Sequence, residues 1–300
     1  MYSSRLNSYL LNIIVSIIMV FCVLAAVILN FFTYVILDKT TYTDAMYAND
    51  VDQIAFDEIN QYFDRQYAYT GIDADVFKSV VNKNEISAAI FAYVDSTFEY
   101  MVHKSDKLPE FNYDFTAIEK SLNDDYERWA KENKTEIDDE ALKNIDATLK
   151  SVKEVITNKL DILMLSLLNK QNGVSTFIRN HYDQLKMLRI ISIGIVAVCI
   201  AVLVLINRKR HINNIFYWTG CSFFASGAII LAPSLYLKLS HYFDGLIMKN
   251  DAIYKSLTQS LYSIMDKTIV CGIIMIVFSL IMFIVNMGMY KGWFRFTYNR

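Results

Sequence analysis

Residues 190–220 read IISIGIVAVCIAVLVLINRKRHINNIFYWTG, an uncharged run, a basic knot at 207–214 (NRKRHINN) and a second uncharged run. Two apolar segments joined by so short and so positive a turn have the pattern of two membrane-crossing helices. Four such uncharged stretches occur along the chain, at 9–37, 190–206, 215–237 and 268–290. Each is near or above the roughly 20 residues a helix needs to cross about 30 Å of hydrocarbon. They set the balance of the whole chain, 300 residues of which 54% are apolar and only 20% charged, outside the usual range for a soluble globular protein. The first stretch is far longer than the h-region of a signal peptide and lacks a small-x-small cleavage site, so it reads as an uncleaved anchor.

Loops retained in the cytoplasm carry an excess of Lys and Arg, and this bias orients the spans. Segments 1–8, 207–214 and 291–300 hold Arg5, Arg208, Lys209, Arg210, Lys291, Arg295 and Arg300 and no acidic residue, while all 31 Asp and Glu fall in 38–188 and 238–267. The sequence therefore describes an all-α integral membrane protein. Its expected layout is a cytoplasmic N-terminus at 1–8, transmembrane helix 1 at 9–37, and an acidic extracytoplasmic helical domain at 38–188. Transmembrane helix 2 follows at 189–206, a basic cytoplasmic loop at 207–214, and transmembrane helix 3 at 215–237. A short extracytoplasmic helical loop at 238–267, transmembrane helix 4 at 268–290 and a cytoplasmic C-terminus at 291–300 complete it. Arg208, Lys209 and Arg210 are the topological anchor, in contact with anionic lipid. A nucleic-acid role is excluded for them, because eight residues pinned between two membrane helices cannot lay a stripe of charge along a duplex.

The 38–188 segment carries 28 acidic against 17 basic residues, a net charge of −11, with one proline and two glycines. That composition favours helices over strands. Val51, Ala55, Ile59 and Tyr62 recur at helical spacing within one helix expected over 43–63, and so do Ile86, Ile90, Tyr93, Val94, Thr97 and Met101. The longest seam is Ile145, Leu149, Val152, Ile156, Leu160, Leu163 and Leu167, whose 4-3-4-4-3-4 spacing predicts a single helix packed on its neighbours. Breaks are expected at 69–73, 104–115, 133–136 and 172–173, with Thr135 and Asp138 starting one helix and Gly173 stopping another. The result is a bundle of four to six helices, the first growing out of span one and the last running into span two. The 238–267 loop reads as helical extensions of spans three and four. Tyr236, Tyr242, Phe243, Tyr254 and Tyr262 suit one membrane boundary, Trp293 and Phe294 the other.

No HExxH helix, GxSxG elbow or phosphate-cradling GxxxxGK loop is present, and no ionisable residue stands mid-span. The four cysteines, Cys22, Cys199, Cys221 and Cys271, all lie in the uncharged runs, which leaves none for a disulfide framework in the acidic segment. The candidates for a metal or catalytic group are His181, His241 and Asp244, for which solvated or capping roles are the simpler explanation. Asp73 with Asp75, and Asp138 with Asp139 and Glu140, lack the spacing and turn glycine of a calcium loop. Inside the spans Ser222 and Ser226, like Ala197 and Ala201, have the small-x-x-x-small spacing of close helix packing, and Pro233 is expected to kink span three.

The functional expectation is a non-enzymatic polytopic membrane protein without a cofactor. Its extracytoplasmic domain senses or binds a protein partner, as scaffold or accessory subunit of a membrane complex. The alternatives are a channel or permease-like transport subunit and, after that, a membrane enzyme at the outer interface. Abundant Ile, Lys, Asn and Tyr with scarce Pro fit an AT-rich bacterial genome. The expected location is the plasma membrane of a Gram-positive-type bacterium, multi-pass, with both termini cytoplasmic.

Overall fold

The computed structural model describes residues 2–135, 138–170, 172–208 and 212–291, with side chains described from Ser8 onward apart from those of 67–70. Lys209 and Arg210 of the expected anchor, with His211, Trp293, Phe294, Arg295 and Arg300, lie outside these residues, as does the Arg5 side chain. Among the described residues the chain is helical throughout, with no strand. The helices are α1 (Tyr2–Phe31), α2 (Thr40–Tyr47), α3 (Val51–Thr70), α4 (Asp75–Lys78), α5 (Lys83–Met101), α6 (Thr116–Asn133), α7 (Asp139–Leu160), α8 (Leu165–Leu168), α9 (Val174–Asn207), α10 (Asn213–Leu239) and α11 (Asp251–Tyr290). Four segments are long and apolar enough to cross a membrane: Ser8–Ile36, Val174–Asn207, Asn213–Leu239 and Asp251–Tyr290.

The chain divides into two compact units. The first, here the apolar unit, comprises the described residues of Met1–Asp38, His181–Asp244 and Tyr262–Arg300; the second, the polar unit, comprises those of Lys39–Asn180 and Gly245–Leu261.

In the apolar unit α10 is packed on two neighbours through small residues. Toward α1, the Ser16 and Ser222 hydroxyls share a 2.8 Å hydrogen bond, and the Ser226 hydroxyl donates to the Val20 carbonyl at 3.2 Å. Toward α11, the Ser279 hydroxyl donates to the Gly220 carbonyl at 2.7 Å. A Cβ on Gly227 would stand 3.0 Å from Ile276 Cγ1 and 3.2 Å from the Gly272 carbonyl oxygen, so the two backbones meet where neither has a side chain. Such hydrogen bonds are worth only about 0.6 kcal/mol on average in apolar surroundings, so the close packing the small residues permit is the larger contribution. Met19, Val23, Cys199, Leu203, Ile215 and Met275 fill the centre. Pro233 does not end α10, which runs on to Leu239; the Ser234 hydroxyl bonds back to the Ile230 carbonyl at 2.9 Å beside it.

α1 and α9 are joined by a reciprocal amide pair. Asn12 Nδ2 donates to Asn207 Oδ1 at 3.2 Å and Asn207 Nδ2 donates to Asn12 Oδ1 at 2.9 Å, both residues being buried. Asn207, read from sequence as the first residue of the basic loop, is the last residue of α9.

The polar unit has its own core, in which Val51, Ala55, Ile59 and Phe63 of α3 are fully buried and Ile86, Ile90, Val94, Ile118, Leu122, Val152 and Ile156 are buried with them. Phe63 takes the place expected for Tyr62, because the stripe continues at intervals of four. Five other expectations are corrected. The first helix is not continuous with span one, nor does one helix cover 43–63. The π-helical turn Phe32–Ile36 ends the apolar segment, and a second break falls between Tyr47 and Val51, where Asp50 adopts φ 47°. The long seam stops at Leu160, where the buried Asp161 carboxylate accepts N–H bonds from Leu165 (2.6 Å) and Ser166 (3.2 Å) and so starts α8. Leu167 is consequently exposed.

The remaining two corrections concern helix ends. Asp138 alone caps α7, accepting from the Ala141 N–H at 2.8 Å, while the Thr135 N–H bonds back to Ala130 and closes α6. Gly173 does not stop a helix but precedes α9, in a turn so tight that a Cβ would lie 2.4 Å from the Leu168 carbonyl oxygen. The 245–261 segment packs within the polar unit through a helix N-terminus: the Asp251 N–H donates to Glu58 Oε1 at 2.6 Å, and Glu58 also pairs with Lys159 at 3.2 Å. A carboxylate there complements the positive end of the helix dipole.

Gly227→Leu is expected to lower the stability of the detergent-solubilised protein by about 1–3 kcal/mol through overpacking of α10 against α11. A thermal melt followed by circular dichroism reads it; a wild-type midpoint would show that the glycine contact is dispensable.

Candidate functional site

Among the described residues, no group of three or more His, Cys, Asp and Glu side chains is placed to hold a metal ion. His241, at φ 50°, turns its Nδ1 to Asp244 at 3.1 Å, and Asp244 accepts a hydrogen bond from the Tyr262 hydroxyl at 2.9 Å. This arrangement closes the turn after α10. His181 lies on α9. The acidic strings start helices: Asp73 accepts the Asp75 N–H at 3.0 Å ahead of α4, and Asp139 with Glu140 forms the first turn of α7.

Of the packing candidates, Ser222 and Ser226 are fully buried against α1, whereas Ala197, Ala201 and Pro233 are exposed. The face of α9 that packs inward is that of Ser192, Cys199, Leu203 and Asn207. Arg208, next to the end of α9, is exposed.

Three features have no signature in the sequence. The first is a clamp around Arg179, whose guanidinium donates to the carbonyls of Tyr100 (2.9 Å) and Ser105 and to the Asp106 carboxylate (2.6 Å), and lies over the Tyr100 ring at 4.7 Å. His103 Nε2 meets the Arg179 carbonyl at 2.6 Å. These contacts leave the Arg179 side chain 15% exposed and hold the 100–106 loop to the start of α9. Next to it, Asn169 donates to the hydroxyls of Tyr93 (3.2 Å) and Thr97 (2.8 Å) and accepts from Ser175 (2.6 Å), all within the buried interior. Residues more than seventy positions apart meet here, which periodicity cannot reveal.

The second feature is a surface hollow of about 310 Å³ bordered by Gly71, Ile72, Asp125, Tyr126 and Trp129. Gly71, at φ 71°, makes the left-handed turn that ends α3, a conformation that costs a residue with a side chain about 1 kcal/mol or more. Trp129 is 55% exposed on α6, among charged neighbours that include the Arg128–Asp125 pair at 2.8 Å. A large exposed indole beside a hollow on a highly charged unit is the kind of anchor that protein interfaces centre on. The third feature is an apolar cavity of about 540 Å³ in the apolar unit.

Burial pushes the phenol of Tyr42 up to about 12. It does the same for Tyr113, with the Glu85 and Asp114 carboxylates adding to it. A hydrogen bond from the Thr116 hydroxyl, reinforced by its N–H, holds Asp114 below the usual carboxylate range.

The fold and these sites define a class, an all-helical protein with four helices long and apolar enough to cross a membrane. Set against family models, curated proteins and solved structures, the chain matches none in any of the three.

Because the neutral phenol of Tyr113 is favoured in the folded state, its contribution is complete below the ordinary value of 10.0 and is lost as pH rises through about 12. Base titration followed by circular dichroism is expected to show helix loss in that window, and Tyr113→Phe to move the loss to higher pH. An unchanged alkaline profile would contradict this account of Tyr113.

Proposed function

We propose that the chain is a non-enzymatic, multi-pass protein of the plasma membrane of a Gram-positive-type bacterium. The 38–188 segment stands outside the cell as an acidic helical domain inserted between the first two spans, and both termini lie in the cytoplasm. The charge distribution supports the orientation: the loops at 1–8, 207–214 and 291–300 are basic, and all acidic residues fall on the other side. That domain binds a protein partner, which makes the chain a sensing, scaffolding or accessory subunit of a membrane complex. The observation that carries this reading is the exposed Trp129 beside the hollow of Tyr126 and Ile72. Solvating an indole on an acidic surface is unfavourable, and a partner that buries it recovers the apolar contact.

Two measurements test the proposal. With the four native cysteines replaced, a single cysteine at Lys120 is expected to react with a membrane-impermeant maleimide on intact cells, and one at Asn214 only after lysis. The reverse pattern would invert the topology. A photocrosslinker at position 129 is expected to give a discrete adduct in cells, and Trp129→Ala to weaken co-purification in mild detergent at least about tenfold. No adduct, with co-purification unaffected by Trp129→Ala, would remove the partner reading.

A further inference from the structure

We propose that the start of α11, residues 251–261, is a releasable segment of the polar unit, which opens from its seat while the rest of that unit stays folded. The observation that carries this is an inversion of its burial. Within the segment the deeply buried residues are Ala252, Ser256, Thr258 and Ser260, whereas Ile253, Leu257 and Leu261 are only partly buried. Burial stabilises a seated helix in proportion to the apolar area withdrawn from water. Here the positions withdrawn furthest carry a methyl group and three hydroxyls.

Those hydroxyls also lack partners. Ser256 Oγ, Thr258 Oγ1 and Ser260 Oγ are shielded from solvent and make no hydrogen bond among the described residues. A helical Ser or Thr can satisfy itself on the carbonyl four residues back, as Thr268 does on Ile264 at 2.8 Å further along the same helix. Opening returns each hydroxyl to water, so the seated state has an uncompensated desolvation cost for each. Ser256 and Ser260 stand one turn apart on one face and Thr258 on the opposite side, so no small rotation of the helix relieves all three.

The first turn ties the segment down. Asn250 Oδ1 caps it by accepting the Ile253 N–H at 2.9 Å, and the Asp251 N–H reaches Glu58 on α3 at 2.6 Å. Glu58 is itself shared with Lys159 on α7. The contrast is with α3, whose buried positions Val51, Ala55, Ile59 and Phe63 are all apolar. Segments that bury little apolar area open locally at a lower free energy than the core around them. α11 continues from this segment without a break to Tyr290. The inference goes beyond the proposed partner binding and needs neither a partner at Trp129 nor a particular orientation in a membrane.

The test is the rate at which a single buried cysteine reacts with a maleimide in the full-length, detergent-solubilised protein with its four native cysteines replaced. Ala252→Cys, in the segment, is expected to react at least about tenfold faster than Ala55→Cys, at an equally buried alanine of α3. Ser256→Ala, Thr258→Val and Ser260→Ala introduced together are expected to slow the reaction at position 252 at least about fivefold and to leave that at position 55 unchanged. Should circular dichroism show that the triple variant does not fold, the near-isosteric Thr258→Val alone is expected to slow the reaction about twofold. Equal rates at positions 252 and 55 would overturn the proposal. So would apolar substitutions that leave the reaction at position 252 unchanged or accelerate it, the sign of hydroxyls satisfied in place.

Discussion

The close approach of α10 to two helices at once is the constraint on which the apolar unit depends. Between apolar helices in an apolar medium there is no hydrophobic drive to associate, so contact must come from backbone proximity and hydrogen bonds. Serines 222 and 226 supply it toward α1, and Gly220 and Gly227 toward α11. With α10 fixed, α1 presents Asn12 to Asn207 and gathers α9, and four helices share one core. The same hydroxyls satisfy themselves on carbonyls of neighbouring helices, which removes the penalty of polar groups in a carbon environment.

The polar unit solves a different problem. With few glycines and prolines to punctuate it, its helices are ended by side chains and by left-handed residues: Asp50, His103, Lys134 and Met164 all have positive φ. Asp161, Asn169 and Ser175 then satisfy buried backbone and side-chain groups where one helix gives way to the next. Arg179 gathers three acceptors that would otherwise face outward from the 100–106 loop. Glu58 ties α3 to α7 and to the start of α11. Acidic residues are in several places the capping groups of helices, Asp138 at α7 and Asp161 at α8 among them.

Two surfaces among the described residues have no structural role assigned above. One is the hollow bordered by Tyr126 and Trp129. The other is the apolar cavity of the apolar unit.

The sequence alone determined the helical class, the four apolar segments and most of the inward-facing positions, because these follow from local composition and from a period of 3.6 residues. Ile86, Ile90, Val94, Thr97 and Met101 are buried as that period requires. It also indicated Ser222 and Ser226, but could not distinguish them from Ala197 and Ala201, which have the same spacing and stand exposed. Spacing reports that a helix has a small face and says nothing about whether another helix lies against it. Only the tertiary structure decided that, along with the Asn12–Asn207 pair, the Arg179 clamp, the break at Asp161 inside an unbroken apolar pattern, and the cavity. Each depends on groups far apart in the chain meeting at distances near 3 Å, and the free energy of such a meeting is set by the partner, which local pattern does not contain.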